Sequence, residues 1–163
     1  MADYERIKQP FEPIYDKHSR ILILGSLPSV KSRENGFYYG HPQNRFWKVI
    51  AGIYGLDVPK NVLEKKELLY KYRIAVWDVI ESCEIKGSSD SSIREVVAAD
   101  LNTILGKCNI EKIFANGKTA GKLYNRFGKV KTGRDIIELP STSPANAAYS
   151  LEKLMMKWSV IKD

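Results

Sequence analysis

Short aliphatic runs alternate along the chain with segments whose apolar residues recur every three or four positions. The first run, Arg20–Gly25 (RILILG), is stopped by glycine, as a buried parallel strand is. Ile74–Ile80 (IAVWDVI), Lys112–Ala115 (KIFA) and Asp135–Leu139 (DIIEL) are runs of the same kind. Between them, Gln43–Tyr54 puts Phe46, Val49, Ile50 and Ile53 on one helical face. Lys60–Tyr72 and Ser92–Leu105 follow the same period, and Thr119–Phe127 is a shorter instance. A last helix is expected over about Ala145–Val160, burying Leu151, Leu154, Met155 and Trp158. Strands alternating with helices predict a parallel sheet covered on both faces, a three-layer α/β/α fold. No internal repeat or low-complexity linker divides the chain, so one domain over residues 1–163 is expected.

Composition narrows the class. A chain of 163 residues is long enough for one self-sufficient core, and 44% hydrophobic with 28% charged residues is ordinary globular usage. Cys83, Cys108, His18 and His41 are too few for a disulfide scaffold, a zinc ribbon or a four-cysteine cluster, so neither metal nor cofactor is expected. No apolar run approaches roughly 18 residues, and the opening MADYERIKQP lacks the apolar stretch of a signal peptide. The expectation is a soluble cytoplasmic protein with no membrane partner. Net charge is +7, and it is concentrated. Between Lys107 and Arg134 lie eight basic residues and a single acid, Glu111, which leaves eighteen of each sign elsewhere. Such a stretch is either a surface facing a polyanion or a solvated helix face.

In open parallel sheets ligands bind beyond the carboxyl ends of the strands. That directs attention to Gly25–Gln43, Asp78–Ser91, Asn116–Lys118 and Pro140–Asn146. Nucleotide fingerprints fail there on spacing. Gly25-Ser26-Leu27-Pro28-Ser29 lacks the glycines of a dinucleotide turn, and Asn116-Gly117-Lys118-Thr119 would need glycine at Lys112 to end a P-loop. The polar run Ser88–Ser91 is explained by capping of a following helix. The long stretch from Ser26 to Gln43 is more telling, because connections of that length are disproportionately functional. Its aromatic residues, flanked by glycines and next to Asn44 and Arg45, suit stacking on a flat base. Phe46 and Trp47 read as core. Asn44 reads as either a helix cap or a ligand-site amide.

The segments Gly25–Ser29 (GSLPS), Tyr38–Trp47 (YYGHPQNRFW), Trp77–Cys83 (WDVIESC) and Ser141–Ala147 (STSPANA) resemble the DNA-deoxyinosine (hypoxanthine-DNA) glycosylases of the uracil-DNA glycosylase superfamily. The HPQNRFWKV portion is also similar to mismatch-specific uracil glycosylases. The resemblance covers about residues 20–150 in matching order. It implies a four-stranded parallel sheet between helices and a monofunctional, metal-free base-excision activity on double-stranded DNA. In most branches the third position of the first segment is Asp or Asn, which orients the attacking water; here it is Leu27, and the resemblance moves catalysis to Asn44. It makes Tyr39 the stacking aromatic and puts Asp78 at the base-reading position. Gly25, Ser26, His41 and Ser141 complete the implied base site, with Ser141 standing where the family has His or Asn. Ser143, Pro144, Ala145 and Asn146 occupy the loop that inserts into the duplex, and neither Ala145 nor Asn146 is a bulky wedge.

Residue chemistry supplies a mechanism compatible with this. Flipping a base costs a few kcal/mol, and less for a mismatched pair. Lys118 and Lys122 would hold the DNA backbone, Asn44 would position water below C1′, and backbone amides would stabilise the departing base. Asp78 is either a general base, an acceptor for the hypoxanthine N1–H, or a strand-end cap; His41 either donates to base or phosphate or packs beside Pro42. The expected substrate is hypoxanthine, with uracil as an addition, and the expected state is a monomer. A G:U/T mismatch glycosylase and a non-catalytic nucleic-acid-binding domain of the same fold are the alternatives, the latter because of Leu27.

Overall fold

The computed structural model describes residues 3–87 and 89–163. Its chain runs through β1 (Glu5–Lys8), β2 (Ile21–Gly25), α1 (Val30–Glu34), α2 (Phe46–Ile53), α3 (Val62–Lys71), β3 (Ile74–Asp78) and β4 (Ile80–Ile85). It continues as β5 (Arg94–Ala98), α4 (Asn102–Leu105), β6 (Lys112–Asn116), α5 (Lys118–Leu123), a π-helical turn at Tyr124–Gly128, α6 (Lys129–Thr132), β7 (Ile137–Leu139) and α7 (Leu151–Trp158).

The four aliphatic runs form one parallel sheet in the order β3-β2-β6-β7. Because strand side chains alternate, each run feeds two cores. Ile21, Ile23, Ile74, Val76 and Phe114 pack under α2, α3 and α7 through Phe46, Ile50, Leu69, Leu154 and Trp158. Leu22, Leu24, Ala75 and Ile113 face the other way, onto Leu101, Ile104, Ile110 and Tyr124. These two covered faces are the predicted three layers. The chain turns to β3 on one side of β2 and to β6 on the other, so strand order reverses beside Gly25 and Asn116.

A second, three-stranded antiparallel sheet, β1-β4-β5, was not expected. It corrects the helix predicted over Ser92–Leu105, of which only Asn102–Leu105 is helical. Glu84 pairs with Arg94 but Ser82 with Val97, so β5 carries an extra residue at a bulge, with Glu95 at a positive φ of 51°. The bulge lets Ile93 and Val96, three apart, pack on the same cluster of Ile80, Cys83 and Ile85. That spacing imitates a helical period, and pairing with β4 decides the outcome. Ser89 precedes a short 3-10 turn at Asp90–Ser92 that leads into β5, not a helix, so the expected capping role is absent there; Ser88 lies outside the described residues. The last helix also begins later than Ala145. Ser150 accepts from the Lys153 amide and caps α7, leaving residues 140–149 as a loop.

Candidate active site

The parallel strands end at Gly25, Asp78, Asn116 and Leu139, and the four expected loops converge above them around a cleft of about 1110 Å³. Gly25, Ser26, Tyr39, His41, Asn44, Asp78 and Ser141 all line it, as do Lys118 and Ser143–Asn146. Leu27 lines it too, while packing on the Ile80 cluster. The fold therefore gathers every residue expected at the site except Lys122, which borders a neighbouring groove with Arg126 and Phe127.

One wall is made of amides. Asn44 lies just before α2, and its Oδ1 accepts from the Phe46 backbone amide (2.9 Å) and from the Thr142 hydroxyl (2.8 Å). A backbone N–H can only donate, so the carbonyl end of Asn44 is turned into the protein and Nδ2 is the end left for the cleft. Thr142 is fully buried and is locked in turn by Asn116, which donates from Nδ2 to Oγ1 and accepts the Thr142 amide, both at 3.0 Å. Asn44, one residue before the N-cap Arg45, thus takes up the first amide of α2 through Oδ1 and leaves Nδ2 as a donor.

The floor is acidic and aromatic. Asp78 is 3% exposed at the end of β3; burial pushes its carboxyl up to about 7, against the pull of hydrogen bonds from Gln9 and the Gly25 backbone. A Cβ on Gly25 would come within 2.5 Å of Asp78 Oδ1 and 3.1 Å of the Tyr39 hydroxyl, so only glycine fits between them. Tyr39 holds a positive φ of 53°, and its ring lies flat on Phe46 with centroids 4.0 Å apart. Phe46 is braced edge-on by Trp47 and Trp158. The Tyr39 hydroxyl is buried without a hydrogen-bond partner among the described residues, and burial followed by the Asp78 charge keeps it protonated. His41 accepts the Gln43 amide at Nδ1, which leaves the ring proton of its neutral form on Nε2 as a donor.

Beyond Thr142 the same wall continues as the loop at 140–149. Ser141 Oγ accepts the Ser143 amide, Ser143 Oγ accepts the Ala145 amide, and Asn146 donates to the Ser141 carbonyl. Pro144 and Ala145 are exposed at its tip. Arg45, expected beside a stacked base, instead ties this loop down: its guanidinium donates to the carbonyls of Ser143, Asn146 and Tyr149. Sequence patterns gave no signal for this clamp, for Thr142 and Asn116, or for Gln9, because each acts through a partner distant along the chain. The basic stretch is dispersed as well. Arg134 donates to the carbonyls of Ile110 and Glu111, and Lys129 pairs with Asp135 at 3.0 Å. Among the described residues no group of three His, Cys, Asp or Glu side chains is arranged to hold a metal ion, and no helix is long and apolar enough to cross a membrane.

Comparison with known proteins agrees with this geometry. Residues 12–163 match the family model of the uracil DNA glycosylase superfamily. A protein of Methanosarcina acetivorans named hypoxanthine DNA glycosylase is 34% identical over 146 residues, 88% of this chain and 91% of the relative. Another of that name, from Methanosarcina barkeri, is 34% identical over 117 residues, 71% of this chain and 74% of the relative. A solution NMR structure of a candidate uracil DNA glycosylase from Methanosarcina acetivorans superposes with a TM-score of 0.80 at 31% identity, covering 95% of this chain and 96% of that one. The four-stranded parallel sheet, the cleft at its carboxyl edge and these matches together make the chain a member of the uracil DNA glycosylase superfamily.

Proposed function

We propose that the chain is a monofunctional DNA glycosylase, acting as a single domain and as a monomer in the cytoplasm, that hydrolyses the N-glycosidic bond of a deaminated base in double-stranded DNA. Hypoxanthine is the principal substrate, in line with the names of the two Methanosarcina relatives. The observation that carries the reading is the Asn44 amide, held by Phe46 and Thr142 with Nδ2 free toward a cleft of about 1110 Å³.

In this mechanism Lys118 and the loop Ser143–Asn146 grip the backbone while the damaged nucleotide turns into the cleft, with Lys122 touching phosphates farther along. Tyr39, backed by Phe46, stacks on the base, with Gly25, Ser26 and Ser141 around its edges. Asp78 accepts its N1–H. Asn44 Nδ2 donates to the oxygen of a water below C1′; its role is positioning, since an amide removes no proton. As the C1′–N9 bond breaks, its electron pair leaves with the base, and His41 Nε2–H helps to hold that charge. The water oxygen bonds to C1′, and the proton it releases balances the one gained by the departing base. Uracil is the second substrate, favoured by the similarity to the candidate uracil DNA glycosylase and by its N3–H, which offers Asp78 the same donor.

Duplexes carrying a single inosine or a single uracil, incubated with wild type and Asn44→Ala and then cleaved with alkali, test this. Scission at inosine by wild type and its loss in Asn44→Ala are expected. Absence of scission at every deaminated base with wild type overturns the enzyme reading; full activity of Asn44→Ala overturns the role of Asn44.

A further inference from the structure

The family match begins at residue 12, yet the cleft floor depends on a residue before it. Gln9 directly follows β1, and its backbone amide donates to the Glu81 carbonyl of β4 at 2.7 Å. Its side-chain Oε1 accepts the Phe11 amide at 2.7 Å, which turns Nε2 toward Asp78, where it donates to Oδ2. Both ends of the Gln9 amide are therefore committed. Phe11 packs on Phe37 and Tyr38, and the Tyr38 hydroxyl donates to the Glu12 carbonyl at 2.8 Å, so the segment is pinned to the stretch that carries Tyr39. Asp78 Oδ1 remains against Gly25 at the cleft floor.

From this arrangement we infer that Gln9 is a positioning residue for Asp78: by tying Oδ2 it keeps the carboxylate in the acceptor form that distinguishes a deaminated purine from adenine. Deamination converts ring N1 from an acceptor into an N–H donor. An ionised Asp78 accepts that N–H and repels the lone pair on adenine N1, whereas a protonated Asp78 reverses the preference. The discrimination therefore holds only while Asp78 is ionised, and its carboxyl titrates at about 7, pushed there by burial and drawn back by Gln9. The titratable groups facing it are the hydroxyls of Tyr38 and Tyr39, both raised by burial and neutral at that pH. Without the Gln9 donor the carboxyl holds its proton to higher pH.

The inference rests on the glycosylase reading above, and the test separates the two. Excision from an inosine duplex is followed as kcat/KM against pH for wild type, Gln9→Leu and, as a second donor-free variant, Gln9→Met. In both variants the rising limb is expected to move to higher pH, with about a tenfold loss at pH 7 that is largely recovered at pH 9. A loss that is equal at all pH values, or no change, overturns the positioning role. In parallel the Asp78 carboxyl is titrated by 13C NMR on the same proteins, which requires no activity. If wild type excises nothing, the glycosylase reading fails, while an Asp78 midpoint that still rises without Gln9 keeps the coupling of these two residues. An unmoved midpoint overturns that coupling whatever the activity.

Discussion

The cleft has two kinds of polar boundary, and they behave differently. In the amide wall, Asn44, Thr142 and Asn116 bond to one another and to the backbone, and each atom's direction follows from its partner. On the basic side, Lys118 and Lys122 are exposed and face separate grooves, while Arg134 and Lys129 are occupied elsewhere. Buried hydrogen bonds specify geometry because an unmade one costs about 1–3 kcal/mol. Exposed charges specify little beyond attraction, because solvent and salt screen them. The wall should therefore control rate, and the basic side affinity.

The strongest test of that division is Asn44→Ala, expected to lower single-turnover excision by about 10²–10³-fold with duplex affinity nearly unchanged in a gel-shift titration. Thr142→Val, which keeps shape but removes the hydroxyl, should cost about tenfold in rate and about 1–3 kcal/mol in urea unfolding, because Asn44 Oδ1 and Asn116 Nδ2 each lose a partner. A rate equal to wild type would mean that Asn44 needs no such anchoring.

The floor makes a third prediction, concerning stability. Asp78 has a folded-state value of about 7, above that of an exposed carboxyl, so the folded protein binds a proton that the unfolded chain releases. Its contribution to stability is present at about pH 4 and is lost as pH rises toward 7. Asp78→Asn should therefore melt a few °C above wild type at pH 8, and the gap should close near pH 4. A gap that widens on acidification would reverse the sign and refute the buried, raised carboxyl.

Charge reversal on the basic side should have smaller effects. Lys118→Glu is expected to weaken duplex binding several-fold and to reduce the slope of log affinity against log salt by about one to two, with excision at saturating protein retained. Lys129→Glu, at a residue paired with Asp135, should leave that slope within about half a unit of wild type. Equal effects from the two would mean that the whole basic stretch meets DNA.

How much of this was legible in the sequence varies with the range of the interaction. β2, β3 and β6 were readable because each is an aliphatic run largely buried on both faces, while β7 is an edge strand in which only Leu139 is buried. That Asn44, Tyr39 and Asp78 would meet at one cleft was legible, Asn44 from its loop beyond a strand end and Tyr39 and Asp78 through the family resemblance. β5 has the apolar period of a helix because a bulge at Glu95 shifts its alternation, and that bulge exists only through pairing with β4. Charge counting set apart residues 107–134 but not their directions.

By itself, then, the order of hydrophobic runs determined the sheet, its two packed faces and the edge at which the cleft opens, since these follow from local period and burial. Only the tertiary structure decided which end of the Asn44 amide is free, that Arg45 clamps a loop and does not face a base, and that Gln9 reaches Asp78. The Arg45 and Gln9 contacts depend on partners 69 or more residues away, and the Asn44 amide, turned locally by the Phe46 N–H, is fixed by Thr142, 98 residues away; all are brought within bonding distance only when the sheets and helices close on one another.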